Sequence, residues 1–223
     1  MSNIDFQNGF AIGVASKGQI KVKEETPNPL EYAPTVANVF QNTTFPDGYN
    51  LVLTLPRCST FTYFAYNTTG VKTITIKDLP EDTVCAVGYA FRNSTSLETI
   101  SFDDKTVKIG NGVDAFRGTS ALKEIKGTLD LTDATSVNNM FEACTSLEYV
   151  RFKANSIKIS ISFAKCTKLT SETVQSIIDG LATVETAQTV TLNANQKVLQ
   201  SHIDSANAKG WTVVGGTVVQ EAW

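Results

Sequence analysis

The strongest constraint on the fold of this chain is an internal repeat of about 25 residues. Residues 90–102, 115–125 and 140–152 align with one another without gaps, and each has phenylalanine in second place, at Phe91, Phe116 and Phe141. Residues 162–169 form a fourth copy, and residues 64–76 form a degenerate first copy. A unit this short cannot bury its own apolar residues, so it must stack on its neighbours, and the sequence predicts about five rungs.

Each copy ends in the pattern Leu-x-x-Ile-x-Phe, whose period of two residues is typical of a strand with one buried face. We therefore expect the Phe, Leu and Ile positions to point inward. The phenylalanines would form a stacked spine, each contributing about 2–3 kcal/mol by burial. A second apolar stretch in each repeat predicts a second strand, and polar or Gly/Pro breaks such as residues 103–105 predict the corners between strands. The residues of the predicted phenylalanine spine are Phe91, Phe116, Phe141 and Phe163.

The pattern changes to helix after residue 169. Apolar residues recur at helical spacing over residues 174–181, and Thr170 or Ser171 can cap this helix. Asn193 is predicted to cap a second helix that ends near residue 209. A closing hairpin is predicted from strands 211–214 and 217–219 around Gly215 and Gly216.

The N-terminal residues carry weaker signals. Turn signals separate short apolar stretches at residues 10–14 and 20–22, which favours a hairpin, and residues 24–29 are typical of a linker. The first stacked strand is predicted at residues 49–55. The predicted domains are an N-terminal segment at 1–48, the repeat array at 49–169 and a C-terminal capping module at 170–223.

Composition excludes several classes of protein. Acidic and basic residues nearly cancel, with a formal net charge of -3, so no basic surface for nucleic acid is predicted. No apolar run approaches the roughly 20 residues that span a bilayer, and the start of the chain lacks the features of a signal peptide. Of the four cysteines, Cys144 and Cys166 hold equivalent positions in successive copies, where a disulfide is geometrically feasible, but buried free thiols are favoured.

The run Ala-Phe-x-x-Cys-x-x-Leu-x-x-Ile-x-Phe, as it stands in residues 140–152 and the equivalent copies, resembles the BspA-like class of leucine-rich repeats. The column Ser94, Thr119, Cys144 and Cys166 lies where that family usually has cysteine. The fold class is therefore expected to be an α/β repeat solenoid that is rich in strands, with a helical C-terminal cap and a small N-terminal β segment. Residues 3–18 and the C-terminal module also resemble tail-associated repeat proteins encoded by phages and prophages of Gram-positive bacteria.

The sequence offers little catalytic chemistry. His202 is the single histidine, and its apolar neighbours on the second predicted helix favour a packing role. The adjacent acids Asp103 and Asp104 fall at a predicted corner, where solvated turns are favoured over a calcium site. We expect no enzyme activity, no metal and no cofactor.

A binding surface is the remaining prediction. Outward positions of the repeated strand form two columns across the rungs, and repeat arrays use such faces to bind partners. Tyr149 and Arg151, with Lys153 nearby, present an aromatic plane beside hydrogen-bond donors, which suits a sugar or a protein loop. A merely solvated sheet face stays open as the simpler interpretation. The candidate binding residues are Thr73, Thr75, Thr99, Ser101, Glu124, Lys126, Tyr149, Arg151 and Lys153.

These observations predict a non-enzymatic protein that binds a protein or a cell-surface glycan, without nucleic acid or membrane insertion. A homo-oligomer is left open. The leading hypothesis is a phage or prophage tail or baseplate component, which would lie in the virion. A BspA-like adhesin on the surface of a Gram-positive bacterium is the alternative, and a cell-wall glycan hydrolase would require a pair of carboxylates in a cleft.

Overall fold

The structure, a computed structural model, describes residues 3–5, 11–13, 30 and 33–220. This part of the chain is rich in strands and contains two helices. The strands are β1 (Asn3–Asp5), β2 (Ala11–Gly13), β3 (Thr44–Thr54), β4 (Thr69–Lys77), β5 (Val84–Ala86), β6 (Thr99–Asn111), β7 (Glu124–Asp130), β8 (Tyr149–Phe152), β9 (Ile161–Phe163), β10 (Gln188–Leu192), β11 (Lys197–Leu199), β12 (Trp211–Val214) and β13 (Thr217–Val219). The helices are α1 (Ser171–Gly180) and α2 (Gln200–Ala208).

Strands of successive repeats lie side by side in parallel. The largest sheet has the order β3-β4-β6-β7-β8, and β5 also pairs with β6. Ile74 lies opposite Ile100, and Ile100 lies opposite Ile125, so one column of isoleucines runs across three strands. All three are buried, which confirms the inward position that the period of two predicted. The predicted corner at residues 103–105 lies within β6, because that strand continues through it with a shift in pairing register between Ser101 and Thr106.

The phenylalanine spine is confirmed. Phe91 stacks on Phe116 with ring centroids 5.6 Å apart, and Phe116 stacks on Phe141 at 5.4 Å. Phe141 stacks on Phe163 at 4.9 Å, and the four rings are buried. Each ring therefore removes its apolar area from water and gains an offset-stacked neighbour.

The first copy has a different register from the one that the sequence suggested. The amide of Ala65 donates to Ala90 O, as the amide of Phe91 donates to Ala115 O in the next rung, so Ala65 takes the place of Phe91. Phe64 lies one position earlier and meets Phe91 edge to face at 6.0 Å. Phe40 holds the spine position of a further rung, since its amide donates to Phe64 O.

In each repeat, a turn segment lies just before the small-residue column that contains Ser94, Thr119, Cys144 and Cys166. The backbone of this segment is hydrogen-bonded to the next rung. In each of the first four of these turn segments, four alternate amides donate to carbonyls of the following one. Val39 N donates to Val36 O and Thr43 N donates to Phe40 O, which closes two turns in the first segment. The third residue of each turn, Asn38 or Asn42, has a positive φ, as a type II turn requires. The turn segments comprise residues 36–42, 61–67, 87–93, 112–118 and 137–143.

Positive φ recurs at the third and the seventh residue of all five turn segments, which we call the first and the second place. The second place holds Asn42, Asn67, Asn93, Gly118 and Ala143, and the first three and Gly118 are residue types that tolerate the left-handed conformation. Ala143 has a φ of 59° and its Cβ makes this conformation unfavourable by roughly 1–2 kcal/mol. The first place holds Asn38, Tyr63, Tyr89, Asp114 and Asn139.

A column of small polar side chains satisfies carbonyl groups inside the stack. Thr68 donates its hydroxyl to Phe40 O at 2.8 Å, and Ser94 donates to Ala65 O. Cys144 and Cys166 donate their thiols to Phe116 O and Phe141 O, at 3.0 and 3.5 Å. In these four cases the acceptor belongs to the spine position one rung earlier, whereas Thr119 donates its hydroxyl to Phe116 O of its own rung. The column therefore holds small side chains that can donate inside the stack.

The four cysteines are buried free thiols, as the sequence favoured. Burial raises the pKa of Cys85 and of Cys144 to about 12. Because the thiolate is the reactive form, these side chains are inert packing groups in the folded protein.

The first predicted helix is confirmed. Helix α1 begins after Thr170, whose side-chain oxygen accepts from Thr173 N, and its residues Val174, Ile177 and Ile178 are buried. The second helix begins later than predicted, at Gln200. Asn193 instead donates its amide to Ala164 O at 2.6 Å and accepts from Asn195 N, because residues 197–199 form a strand before the helix starts.

The predicted closing hairpin is wrong. Strand β12 pairs in parallel with β10, and β13 pairs in parallel with β11, so the two strands belong to different sheets. Gly215 and Gly216 both have positive φ and form a corner between these sheets. A Cβ at Gly215 would lie 2.1 Å from Leu192 O, so the backbone of this corner packs directly on the preceding strand.

At the N-terminus, β1 and β2 pair in antiparallel fashion. Strand β2 falls within the predicted stretch 10–14, but its partner is β1, and the predicted strand 20–22 and linker 24–29 lie outside the described residues. Rung-like structure is present before residue 49, since Val36 and Phe40 are buried in the core. In the described part of the chain, neither helix has the length and apolar character needed to cross a membrane.

The backbone at Ala143 generates a stability prediction. We expect Ala143→Asn to raise the free energy of unfolding by about 1 kcal/mol, because asparagine tolerates the positive φ that alanine adopts at a cost. Denaturant unfolding of the purified protein measures this change.

The same place in the preceding rung provides the opposite control. Gly118→Ala should lower stability, since the φ there is +73° and the new Cβ would lie 2.4 Å from Asn93 Oδ1. A loss of stability in Ala143→Asn would contradict the role assigned to this column.

Candidate functional site

A cleft of about 270 Å³ lies on the outward face of β7 and β8, where the parallel strands meet α1. It contains four of the residues that the sequence nominated, together with the first turn of the helix. Its wall is built from a strand face on one side and a helix on the other, so two different kinds of element position its side chains. The lining residues are Asp104, Glu124, Ile125, Lys126, Gly127, Tyr149, Val150, Arg151, Glu172 and Thr173.

Helix α1 takes the position that the next strand would occupy beside β8. Thr173 Oγ1 accepts from Val150 N at 3.4 Å and donates to Glu148 O at 2.8 Å. Ser176 Oγ accepts from Phe152 N at 2.9 Å. These two hydroxyl groups satisfy backbone groups that another strand would otherwise bind, and the thicker helix leaves room for the cleft.

Gly127 shapes the floor of the cleft. Its φ is +109°, and a Cβ there would lie 2.7 Å from Lys105 O, so other residues are disfavoured. The pairing of β7 with β8 shifts register between Glu124 and Thr128, and Arg151 consequently lies opposite Thr128. The sequence predicted that Arg151 would lie beside Lys126 in one outward column. Because of the register shift, Arg151 does not belong to that column.

Four of the five charged side chains at the cleft form two ion pairs near its surface. Arg151 Nη2 donates to Glu172 Oε1 at 3.1 Å, with both side chains about two-thirds exposed. Lys126 lies 3.8 Å from Glu124. Tyr149 is 43% exposed, which is unusual for a large aromatic side chain in this protein. An exposed ring among paired charges can give apolar contact and hydrogen bonds to an incoming group.

The remaining nominated residues lie outside the lining. Thr73 is opposite Thr99, and Thr75 is opposite Ser101, as the predicted columns require. These four side chains are partly buried on β4 and β6. Lys153 is also outside the lining, and its ammonium group binds Asp130 Oδ2 at 2.7 Å.

Two lining residues could not be nominated from the strand pattern. Glu172 belongs to the first turn of α1, and Asp104 lies within the bulged part of β6. The signal for Glu172 was present, because the cap at Thr170 fixed the start of a helix immediately after the last repeat. The position of that helix relative to β8 is a tertiary feature that no local pattern encodes.

Asp130 is a buried carboxylate with two partners. Its side chain is 1% exposed, and it accepts from Lys153 Nζ and from Thr132 N at 2.9 Å. Burial by itself would raise the pKa of Asp130, but the hydrogen bonds from Lys153 and Thr132 outweigh burial and hold the pKa below its usual value. Lys153 therefore has a structural task, which separates it from the cleft.

His202 is buried on α2 and packs toward α1. Its Nε2 lies 2.7 Å from Gln175 Oε1, which agrees with the packing role expected from its neighbours. Within the described residues, no group of three or more His, Cys, Asp or Glu side chains could hold a metal ion.

The model described as the BspA type leucine rich repeat region matches residues 59–187, in six copies. The chain belongs to this family. No curated protein and no solved structure matched the chain. The BspA-type match includes strands β4 to β9, four of the five turn segments and the first helix, so the cleft lies within the repeat region.

The pairing of Asp130 with Lys153 predicts a pH-dependent stability. Asp130→Asn should lower the free energy of unfolding at pH 7 by about 1–3 kcal/mol, because a buried charge-assisted hydrogen bond is lost. A depressed pKa in the folded state contributes stability above the unfolded pKa of about 3.9, and this contribution disappears as the pH falls through the folded pKa. The difference between wild type and variant should therefore shrink below about pH 4.

Urea unfolding from pH 3 to pH 7 measures this dependence. Lys153→Met should reproduce the loss, whereas Lys165→Met, at an exposed lysine, should change stability by less than about 0.5 kcal/mol. A difference between wild type and Asp130→Asn that stays constant over this pH range would show that the pairing does not titrate as described.

Proposed function

We propose that this chain is a non-enzymatic protein-binding protein and that a loop of its partner enters the cleft beside Tyr149. The observation that carries the proposal is the exposed Tyr149 ring, which stands next to Arg151 in a concave site at the end of a parallel sheet. Tyrosine and arginine are enriched at the centres of protein interfaces. Membership of the BspA-type repeats supports protein binding as the general role, since repeat arrays present extended faces to partners.

The charges favour a polypeptide partner over nucleic acid. The lining holds three acidic side chains, Asp104, Glu124 and Glu172, against two basic ones, Lys126 and Arg151. A phosphate backbone would be repelled by this set, whereas a protein segment with charges of both signs can replace the existing pairs.

Hydrolysis of a glycan is the competing enzymatic function, since carboxylates do line the cleft. A general acid must keep its proton near neutral pH, which requires burial away from cations. Glu172 is 64% exposed and bound to Arg151, and Glu124 lies beside Lys126, so neither has that environment. This arrangement supports a binding role.

The wider architecture that we propose is a solenoid of about six rungs, the five expected from the sequence and the further one that contains Phe40, with its C-terminal end closed by a helical cap. The parallel order of the largest sheet and the continuous phenylalanine spine support the solenoid. Helix α1 supports the cap, because its Thr173 and Ser176 satisfy the backbone of β8.

For the biological setting, we propose a phage or prophage tail or baseplate component that contacts a host surface. This proposal rests on the resemblance of residues 3–18 and of the C-terminal module to tail-associated repeat proteins. The second candidate is a cell-surface adhesin, which the BspA-type repeats favour. Mass spectrometry of purified phage particles and of shaved cell surfaces from the source organism would distinguish the two, because each candidate places the chain in only one fraction.

Substitutions at the cleft test the binding proposal. Fluorescently labelled protein should bind intact Gram-positive cells, and Tyr149→Ala or Arg151→Ala should each weaken binding at least tenfold, or about 1.4 kcal/mol. Titration followed by flow cytometry gives the apparent Kd. Treating the cells with protease before titration should abolish binding if the partner is a protein.

Thr75→Ala is the matched control, since Thr75 lies on the same strand face but outside the cleft lining. It should bind as the wild type does. Undiminished binding by both cleft variants would reject the cleft as the binding site.

A further inference from the structure

Three tyrosines and an arginine form a cluster on two adjacent turn segments, far along the array from the cleft. We call Tyr63, Tyr66, Tyr89 and Arg92 the tyrosine patch. All four side chains are partly exposed, although most large aromatic side chains of the array are buried. No residue of the patch lines the cleft.

Two tyrosines of the patch adopt a backbone conformation that is unfavourable for their residue type. Tyr63 and Tyr89 have φ values of 56° and 59° at a place that Asn38, Asp114 and Asn139 hold in the other turn segments. Asparagine and aspartate tolerate this conformation, whereas a bulky side chain there is an outlier. Two neighbouring rungs thus use tyrosine where the fold itself would favour asparagine. Strained residues of this kind concentrate at functional sites.

The rings are held in fixed positions relative to one another. Tyr63 and Tyr89 stack with centroids 4.8 Å apart and planes at 9°, and Tyr66 meets Tyr63 edge to face at 5.4 Å. The guanidinium of Arg92 lies 5.6 Å from the centroid of Tyr89 and 5.8 Å from that of Tyr66. Asp114 fixes that guanidinium through a 2.7 Å hydrogen bond. The surface is therefore organised before any ligand arrives.

Tyr63 is the residue of the patch whose ring can stack on a ligand. Tyr89 stacks on one side of it, and the equivalent place one rung earlier holds Asn38, which is exposed and has no aromatic ring to stack on Tyr63. Tyr89 has Tyr63 on one face and Arg92 near the ring. An incoming planar or weakly polar group can thus stack on Tyr63 as the next member of the column.

The surroundings of this ring are polar and uncharged. Asn42 and Asn67 belong to the adjacent positive-φ column, and Asn67 Nδ2 donates to Asn42 Oδ1 at 3.1 Å. Both are exposed, and each amide carries donors and an acceptor. Arg92 and Arg117 share the carboxylate of Asp114, which is 5% exposed, so each guanidinium is paired although the three groups together carry one positive charge. A nucleic acid would need unpaired cations here, and a cationic ligand would compete with Arg92 for the rings.

We propose that the tyrosine patch binds a neutral polysaccharide, with the apolar C–H face of one sugar ring stacked on Tyr63 and its hydroxyls bonded to the neighbouring amides. Aromatic faces attract weakly positive C–H groups, and hydroxyls both donate and accept, as the amides of Asn42 and Asn67 do. This activity goes beyond the proposed binding of a protein at the cleft and uses none of its residues.

Affinity electrophoresis of the full chain through gels that contain amylose, laminarin or galactomannan tests the proposal. At least one of these neutral polysaccharides should retard the wild type. The double variant Tyr63→Asn/Tyr89→Asn should weaken that retardation at least tenfold in apparent Kd. The variant should keep or raise the melting temperature, because asparagine holds this place in two other turn segments, so loss of binding will not come from unfolding.

Tyr149→Ala separates this activity from the cleft and should be retarded as strongly as the wild type, whatever its binding to cells. The proposal fails if none of the three polysaccharides retards the wild type, or if the double variant is retarded equally. It also fails if polyuridylate at low salt binds the patch more tightly than any neutral polysaccharide, since that result would indicate attraction by charge.

Discussion

The hydrogen bonds between successive turn segments are the constraint on which the rest of the array depends. Alternate amides of one turn segment donate to carbonyls of the next, so each turn must keep the same shape as its neighbours. That shape requires two residues with positive φ in each turn segment. It also sets the spacing at which the spine phenylalanines meet, with centroids 4.9–5.6 Å apart along the stack. Core packing and backbone bonding are thus satisfied by a single geometry.

The same geometry explains the small-residue column. The carbonyl of a spine residue accepts from an amide of its own turn, as Phe40 O does from Thr43 N, and a side chain of the following rung can add a second hydrogen bond. Thr68, Ser94, Cys144 and Cys166 provide hydroxyl or thiol donors to that carbonyl. Cysteine at this place thus serves as a compact donor that tolerates burial.

Much of the array could be predicted from local patterns, because stacking repeats the same environment. Phe91, Phe116 and Phe141 were identified from spacing alone, and Thr170 marked the start of α1. Errors occurred where a local signal has two meanings. Gly215 and Gly216 favour a hairpin turn, yet they also permit a corner that packs closely on Leu192, and only the parallel pairing with earlier strands selects the corner. Asn193 similarly can cap a helix or close a turn.

The candidate site was only partly accessible to such reasoning. Strand periodicity nominates Tyr149 and Arg151, but the cleft exists because α1 replaces a strand beside β8 and because Gly127 shifts the register. Both are features of tertiary structure. The tyrosine patch was missed for another reason. A tyrosine in the sequence gives no sign that its backbone adopts a positive φ. A column that holds asparagine, aspartate and two tyrosines has no consistent propensity signal. Its meaning becomes visible only when Tyr63 and Tyr89 are found in the conformation that Asn38 adopts.

The two proposed surfaces differ in the part of the repeat that carries them, and this difference has a physical basis. The strand face is bonded in a flat sheet, so its side chains are spaced for contact with an extended or looped polypeptide. The turn segments project side chains from a tightly wound backbone, which holds the Tyr63 and Tyr89 rings parallel at 4.8 Å and suits a flat ligand. Since the surfaces share no residue, the two proposed ligands would not compete for the same side chains. Two weak contacts linked by a folded scaffold then combine into tighter attachment than either provides alone.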